Sequence, residues 1–338
     1  MNEEIKLKIL EMFSYGSILR NAIEKIVKSR RGALIVFANK NNFRKILKIC
    51  HGGFRINKKL SEELLAELAK LDGAIVVNED KIAYANVLLT PNSRILSIET
   101  GTRHQAAERT AKQFNTIVLA ISEKTKMATI YFGDKKLKLN PLNELLIKAR
   151  ETFTILDRHR EFFEKLIKHL NSSEMLEMVN VRDIAEIFQR KKIIDYISEI
   201  LSFYLAELGN EGRIIEFQFE EIKNFIEKEI DAIKKDYEGQ INFKVVEDAL
   251  ERMDYSQIIS KQEVVKIFES NKLVESLMPK GYRLLKNIPL INEEEREEII
   301  KYFGNLRKLI SANEKDLMKV RGIGEKKAKK IKEYFSSL

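Results

Sequence analysis

Proline is absent from the whole middle of this chain. The four prolines are Pro91, Pro141, Pro279 and Pro289, and between the second and third only Gly209, Gly212 and Gly239 interrupt a charge-rich run. A proline inside a helix costs about 3 kcal/mol, so a long stretch free of it reads as helical. The breaks near 141 and 279 divide the 338 residues into three parts: 1–140, 141–279 and 280–338. Half of the 14 glycines fall before residue 134, where short apolar runs alternate with helical spacing. The expected architecture is an α/β N-terminal domain with a mixed sheet, then an all-α helical spine, then a short basic C-terminal domain.

Composition narrows the function classes. Lysine and arginine total 60 against 51 acids, a net charge of +9 that suits a polyanionic partner. The excess is concentrated: residues 319–332 hold seven basic side chains and one acid, Glu325. A single cysteine, Cys50, rules out an internal disulfide and points to a reducing compartment. Cys50 and His51 read as a half-buried structural pair. No apolar run reaches membrane length and the first residues lack a secretory pattern, so the expected location is cytoplasmic.

In the first part, helices are expected over 4–13, 18–29, 61–71 and 104–114. Strands are expected over 33–38, 74–77, 82–87, 116–122, 127–132 and 136–139. Asn140-Pro141 is an N-cap followed by proline at the first helical position. The helix it opens is expected to stop at Asn171-Ser172-Ser173. His159 and His169 stand alone among charges and read as a solvated helix face.

Chemistry is suggested at two places. Gly101-Thr102-Arg103-His104 leads into a helix, and a helix N-terminus offers unpaired N–H groups and partial positive charge to a phosphate. Thr102 can donate a hydroxyl, Arg103 can bind two oxygens, and His104 can carry a proton. The plainer alternative pairs Arg103 with an acid such as Glu99 while His104 packs. Upstream, Asp72 and Gly73 open an apolar strand. Asp72 could orient a hydroxyl, hold a divalent metal, or cap a turn; Gly73 would admit a close backbone approach. Neither a P-loop nor a Gly-x-Gly-x-x-Gly fingerprint is present, so a nucleotide site here is of another type.

The tail carries the second signal. Residues 317–331 read as helix, Gly322-Ile323-Gly324 turn, helix. Ile323 would anchor the turn, and Lys326, Lys327, Lys329 and Lys330 flank the N–H groups of the following helix. With Arg321, such a helix-hairpin-helix grips a phosphate backbone without reading bases. The alternative is a charged, solvated C-terminal helix. Residues 284–304 echo the spacing, with Ile288-Pro289-Leu290 at the turn and a run of glutamates after it, and read as a structural hairpin packed on the binding one.

These motifs, in this order, resemble the DNA integrity scanning (DisA) family of diadenylate cyclases. The matching pieces are Leu71-Asp72-Gly73-Ala74, Tyr84-Ala85-Asn86-Val87, Gly101-Thr102-Arg103-His104 with Ala107-Glu108-Arg109, and the tail Gly322-Ile323-Gly324. The resemblance implies condensation of two ATP into cyclic di-AMP and two pyrophosphates, with Mg²⁺ or Mn²⁺. It implies facing cyclase domains in a homo-octamer, and C-terminal binding of branched DNA such as Holliday junctions that lowers the activity, with a role in DNA damage repair at the nucleoid. Carried over, Asp72 would activate or orient the attacking 3′-hydroxyl, with or without metal, and Gly73 would lie against the nucleotide. Thr102, Arg103 and His104 would hold phosphates, Leu89 would contact adenine, and Ser122 the phosphate region. DNA contacts would fall on Arg321, Gly322, Ile323, Gly324, Lys326, Lys327 and Lys330.

One position departs from the family pattern: its basic trio is Arg-His-Arg, and here it reads Arg103-His104-Gln105. The lost charge favours an alternative, a DNA-binding scaffold whose nucleotide domain senses rather than catalyses. Retention of Asp72, Arg103 and His104 together favours the cyclase.

Overall fold

The computed structural model describes residues 3–337. The chain forms two compact units, one of residues up to Arg150 with Ser202–Ile215, the other of Glu151–Leu201 with residues from Glu216 onwards.

In the first unit, α1 (Glu3–Met12) and α2 (Ile18–Lys28) precede β1 (Ala33–Ala38). Then come α3 (Phe43–Leu47), β2 (Cys50–His51), β3 (Phe54–Lys59), α4 (Glu62–Leu68), β4 (Ala74–Asn78) and β5 (Lys81–Leu89). The unit continues with α5 (Thr102–Phe114), β6 (Ile117–Ile121), β7 (Ala128–Phe132) and β8 (Lys135–Lys138). The strands form one sheet in the order β2-β5-β4-β1-β6-β7-β8, with β3 also on β5. β1 runs parallel to β4 and every other pair is antiparallel, so the sheet is mixed as expected.

The apolar run of β1 is buried throughout because both sheet faces are covered. Ala33, Ile35 and Phe37 face Ile9, Leu19, Ile23 and Leu65 of α1, α2 and α4. Leu34, Val36 and Ala38 face Ala107 and Ala111 of α5. Ser17 and Ser61 fix the starts of α2 and α4, each side-chain oxygen accepting a backbone N–H of the first turn.

The pairing register places the site. Ile35 lies opposite Ile75 in the parallel pair, so Gly32 is level with Asp72. On the other flank Ala33 opposes Ile121, which brings Ser122 to the same end. Val87 opposes Ala74, so Leu89 also lies at that end.

The segment 40–60, for which no elements were expected, holds α3, β2 and β3. β3 is mostly exposed, carries a left-handed residue at Asn57 (φ 50°) and shifts register between Arg55 and Lys58. An edge strand with a bulge and polar residues on both sides has no period-2 apolar signal.

The later helices are α6 (Leu142–Met175), α7 (Val181–Leu208), α8 (Arg213–Asp236), α9 (Phe243–Arg252), α10 (Tyr255–Ile259) and α11 (Lys261–Ser270). Five more follow: α12 (Tyr282–Lys286), α13 (Glu293–Phe303), α14 (Leu306–Ser311), α15 (Glu314–Leu317) and α16 (Glu325–Ser337). α6 does not stop at Asn171-Ser172-Ser173, contrary to expectation. The Asn171 amide oxygen accepts from Arg283, the Ser172 hydroxyl donates back to the Lys168 carbonyl at 3.3 Å, and Glu174 is buried against Arg283. These partners remove the competition with the backbone that makes such residues helix breakers.

That contact belongs to a buried polar cluster. Glu174 also accepts from the Tyr237 hydroxyl at 2.8 Å, and the Asp236 carboxylate caps α12 by accepting the backbone N–H of Tyr282 and Arg283. It fastens the first C-terminal hairpin to the ends of α6 and α8.

Residues from α12 to α16 share one core, in which Leu284, Ile288, Ile299, Leu309, Leu317, Ile323, Ala328 and Ile331 are buried. His159 departs from its expected place: it is half-buried and paired through Nδ1 with Arg190 at 2.8 Å, whereas His169 is exposed.

Candidate nucleotide site and nucleic-acid interface

Asp72 stands between α4 and β4 with its side chain wholly in solvent, 101% exposed. Among the described residues its carboxylate makes no hydrogen bond that caps a helix or turn. Its Oδ1 is 3.6 Å from Nη2 of Arg103, so the aspartate and the helix-borne arginine meet at one end of the sheet. Arg103 therefore pairs with Asp72 rather than with Glu99, which is bound instead by Lys136 at 2.9 Å.

Arg103 reaches Asp72 by lying over Gly32. A Cβ at that position would stand 2.0 Å from Nη1 of Arg103. Gly32 is a site residue that the sequence reading passed over; its only signal was a glycine directly before a buried strand.

α5 begins at Gly101 in extended conformation, with no side-chain cap. The N–H groups of its first turn thus remain available beside Thr102, which is exposed, and Arg103. His104 is half-buried. Burial, Arg103 and Lys136 hold its proton affinity below the ordinary histidine value, while Glu99 pulls the other way. Its Nδ1 lies 2.8 Å from the Tyr131 hydroxyl.

The remaining predicted residues divide. Ser122 is at the sheet end, where its hydroxyl oxygen accepts the Thr125 N–H at 3.1 Å and shapes the β6–β7 turn. Leu89 is also at that end, but only 7% exposed, within the core under α5; its side chain is packing, with little surface left for a base. Gly73 does not open towards a ligand. A Cβ there would meet the backbone of Asn86 at 2.4 Å, so its smallness serves the irregular β4–β5 pairing, with Asn86 left-handed (φ 55°). Gln105 donates its side-chain amide to the Glu99 carbonyl at 2.8 Å. It is one of five α5 residues fastened to the 92–99 segment, the others being Glu108, Arg109, Lys112 and Gln113. Cys50 is half-buried and burial pushes its thiol up to about 11, which makes it inert; His51 is exposed, so the two do not form a half-buried pair.

Among the described residues no group of three or more His, Cys, Asp or Glu could hold a metal. Among the described residues, Asp72 is the carboxylate paired with Arg103. That donor set fits a Mg²⁺ or Mn²⁺ arriving with a polyphosphate, since such ions take one or two carboxylates and fill the rest with phosphate oxygens and water.

The tail forms the turn expected of it. Gly322 is left-handed (φ 86°), Ile323 is buried, and a Cβ on Gly324 would meet nothing. Arg321, Lys326, Lys329 and Lys330 are exposed around it. Lys327 is engaged: its ammonium pairs with Glu295 of the first hairpin, which also packs on Gly322. The glutamate-rich hairpin therefore buttresses the basic one.

Three family models match successive stretches of the chain. Residues 20–136 match the family described as DisA bacterial checkpoint controller nucleotide-binding, 139–277 the DisA linker region, and 282–336 a SAM-like helix-hairpin-helix tandem. A DNA integrity scanning protein DisA from Carboxydothermus hydrogenoformans is 36% identical over 100% of this chain and 98% of its own length. The chain belongs to the DisA family. Its relative in Clostridium acetobutylicum is 33% identical, over 96% of this chain and 92% of that protein. A solved DacA structure from Staphylococcus aureus covers 40% of this chain and 87% of its own at 26% identity, with a TM-score of 0.31, too low to add to the sequence match. No described helix is long and apolar enough to cross a membrane.

Proposed function

We propose that this chain is a diadenylate cyclase that condenses two ATP into cyclic di-AMP and two pyrophosphates. In each of two equivalent steps a ribose 3′-oxygen bonds to an α-phosphorus, the bond to the β-phosphate oxygen breaks, and the hydroxyl proton leaves. The observation that carries the reading is the meeting of Asp72 and Arg103 beside the uncapped start of α5. Asp72, exposed to solvent beside Arg103, orients the hydroxyl and accepts its proton. Arg103, Thr102 and the α5 N–H groups take phosphate oxygens and stabilise charge as it develops at phosphorus. Mg²⁺ or Mn²⁺ supplies charge neutralisation when bound with the nucleotide, and Asp72 would hold it. A single chain holds one hydroxyl-orienting acid per nucleotide, so two chains facing each other complete the product, in keeping with a homo-octamer. Arg321, Gly322, Gly324, Lys326 and Lys330, on a turn anchored by the buried Ile323 and with Lys327 drawn to Glu295, form the surface proposed for branched DNA, whose binding lowers the activity of a cytoplasmic, nucleoid-bound enzyme.

Gln105 favours a second reading, a DNA-bound scaffold that only senses nucleotide. Its bond to the Glu99 carbonyl gives it a structural task with no charge for phosphate. Incubation of the purified chain with ATP and Mn²⁺, followed by chromatography, separates the two. Cyclic di-AMP is expected; its absence across metals and temperatures refutes the cyclase and leaves the scaffold.

A further inference from the structure

Lys327 sits in the first turn of α16, beside the Gly322-Ile323-Gly324 turn, yet its charge is already spent. Its ammonium donates to the Glu295 carboxylate and lies 3.5 Å from the Gly322 carbonyl oxygen. Its side chain is half-buried, whereas Lys326, Lys329 and Lys330 around it are exposed.

Glu295 is held on both of its oxygens. In the capping box of α13 its backbone N–H donates to Asn292 Oδ1 at 2.9 Å, and its Oε2 accepts the Asn292 N–H at 3.2 Å. Its Oε1 takes Lys327, and that same oxygen and Cγ are the atoms that a Cβ on Gly322 would meet at 3.2 Å. The Lys327 ammonium holds the carboxyl below the usual carboxylate range, against the opposing pull of burial, so Glu295 is ionised at neutral pH. A carboxylate oxygen therefore rests against the glycine turn with a lysine on it, which is the charge-assisted bond a phosphate oxygen would make with that lysine. Beside it, an open groove of about 360 Å³ separates Glu294, Glu297 and Glu298 from Arg321 and Gly322. Like charge keeps a phosphodiester out of that groove, and the α16 side remains as the approach.

We infer that Glu295 competes with DNA for Lys327: it is the chain's own stand-in for a phosphate, and through it the acidic hairpin limits the affinity of the basic one. The inference rests on the DNA surface proposed above and adds a determinant from the other hairpin. Lys327 and Glu295 are neutral as a pair, so together they displace no counterion from DNA. Lys327 released from Glu295 neutralises a phosphate and does displace one.

Fluorescence anisotropy of the full chain with a labelled four-way DNA junction, across a salt series, tests this. Glu295→Gln removes the charge and keeps the cap, because glutamine also serves at that position of a capping box. The variant is expected to melt close to the parent and to bind about fivefold more tightly at ~0.1 M salt. The slope of log K against log salt is expected to steepen by about 0.9. Both gains are expected to vanish in the double variant Glu295→Gln, Lys327→Gln. That dependence on Lys327 separates the inference from the general attraction gained by removing any acid, which Glu297→Gln measures. Glu295→Asp keeps the charge and shortens the reach, and is expected to tighten binding in the same Lys327-dependent way. Parental affinity and slope in Glu295→Gln overturn the inference, as does a gain that survives Lys327→Gln. Binding that Lys326→Glu weakens and Glu295→Gln leaves unaltered removes the role of Glu295 and keeps the DNA surface. A parent chain and variants that all fail to bind the junction refute the DNA surface, and the inference with it.

Discussion

Gly32→Ala is the most economical perturbation of the site, because it adds one methyl group and replaces no proposed functional side chain. The new Cβ would lie 2.0 Å from Nη1 and 2.8 Å from Cζ of Arg103, and 3.0 Å from the Ile121 carbonyl oxygen. The guanidinium is thus about 1.4 Å inside ordinary contact and must move, whereas the strand needs to give only a few tenths of an ångström. Gly32 is not among the left-handed glycines, so alanine brings no backbone strain. The fold should survive while Arg103 leaves its place beside Asp72. A charge-assisted hydrogen bond contributes about 1.5–3 kcal/mol. At about 1.4 kcal/mol per decade, losing one in the transition state lowers kcat/KM about ten- to hundredfold. The assay is initial-rate formation of cyclic di-AMP, beside a thermal melt. Parental kcat/KM at parental melting temperature would refute the claim that Arg103 acts from this position.

Two further outcomes follow from the second unit. Replacing both Lys326 and Lys330 with Glu should weaken binding to a four-way DNA junction and reduce the slope of log K against log salt by about 2, as each lost phosphate contact removes about 0.9; fluorescence anisotropy across a salt series checks this, and an unchanged slope refutes it. Glu174 is raised by burial to about 7, with Asp236 adding to the shift and Arg283 opposing it. The folded chain thus binds this proton more tightly than the unfolded chain, so the group's contribution is most favourable below about pH 4.5 and declines as pH rises towards 7. Glu174→Gln, whatever its absolute stability, should flatten melting temperature against pH across that window; an unaltered pH dependence would refute the assignment.

Much of the architecture was legible because its signals are local. The buried run 33–38 could only be a strand covered on both faces, and the proline-free middle could only be helical. The Gly322-Ile323-Gly324 turn declares itself by composition. What failed to show was tertiary. Asn171 and Ser172 look like a helix stop until Arg283 and the Lys168 carbonyl occupy their side chains. Gly73 looked like a ligand contact, but the neighbour that demands its smallness is Asn86, on the next strand. Leu89 lies where expected along the chain, yet the alternation of β5 turns it into the core. Gly32 went unremarked because it acquires meaning only through Arg103, a partner distant in sequence.

The account's central claim is that Asp72, Arg103 and the start of α5 converge on one triphosphate. A crystal structure of the chain with a non-hydrolysable ATP analogue and Mg²⁺ tests it most directly. Phosphate oxygens within hydrogen-bonding distance of Arg103 and of the first-turn N–H groups, with the metal or the ribose hydroxyl at Asp72, are the predicted result. A nucleotide seated elsewhere, with Arg103 still paired to Asp72, would contradict it.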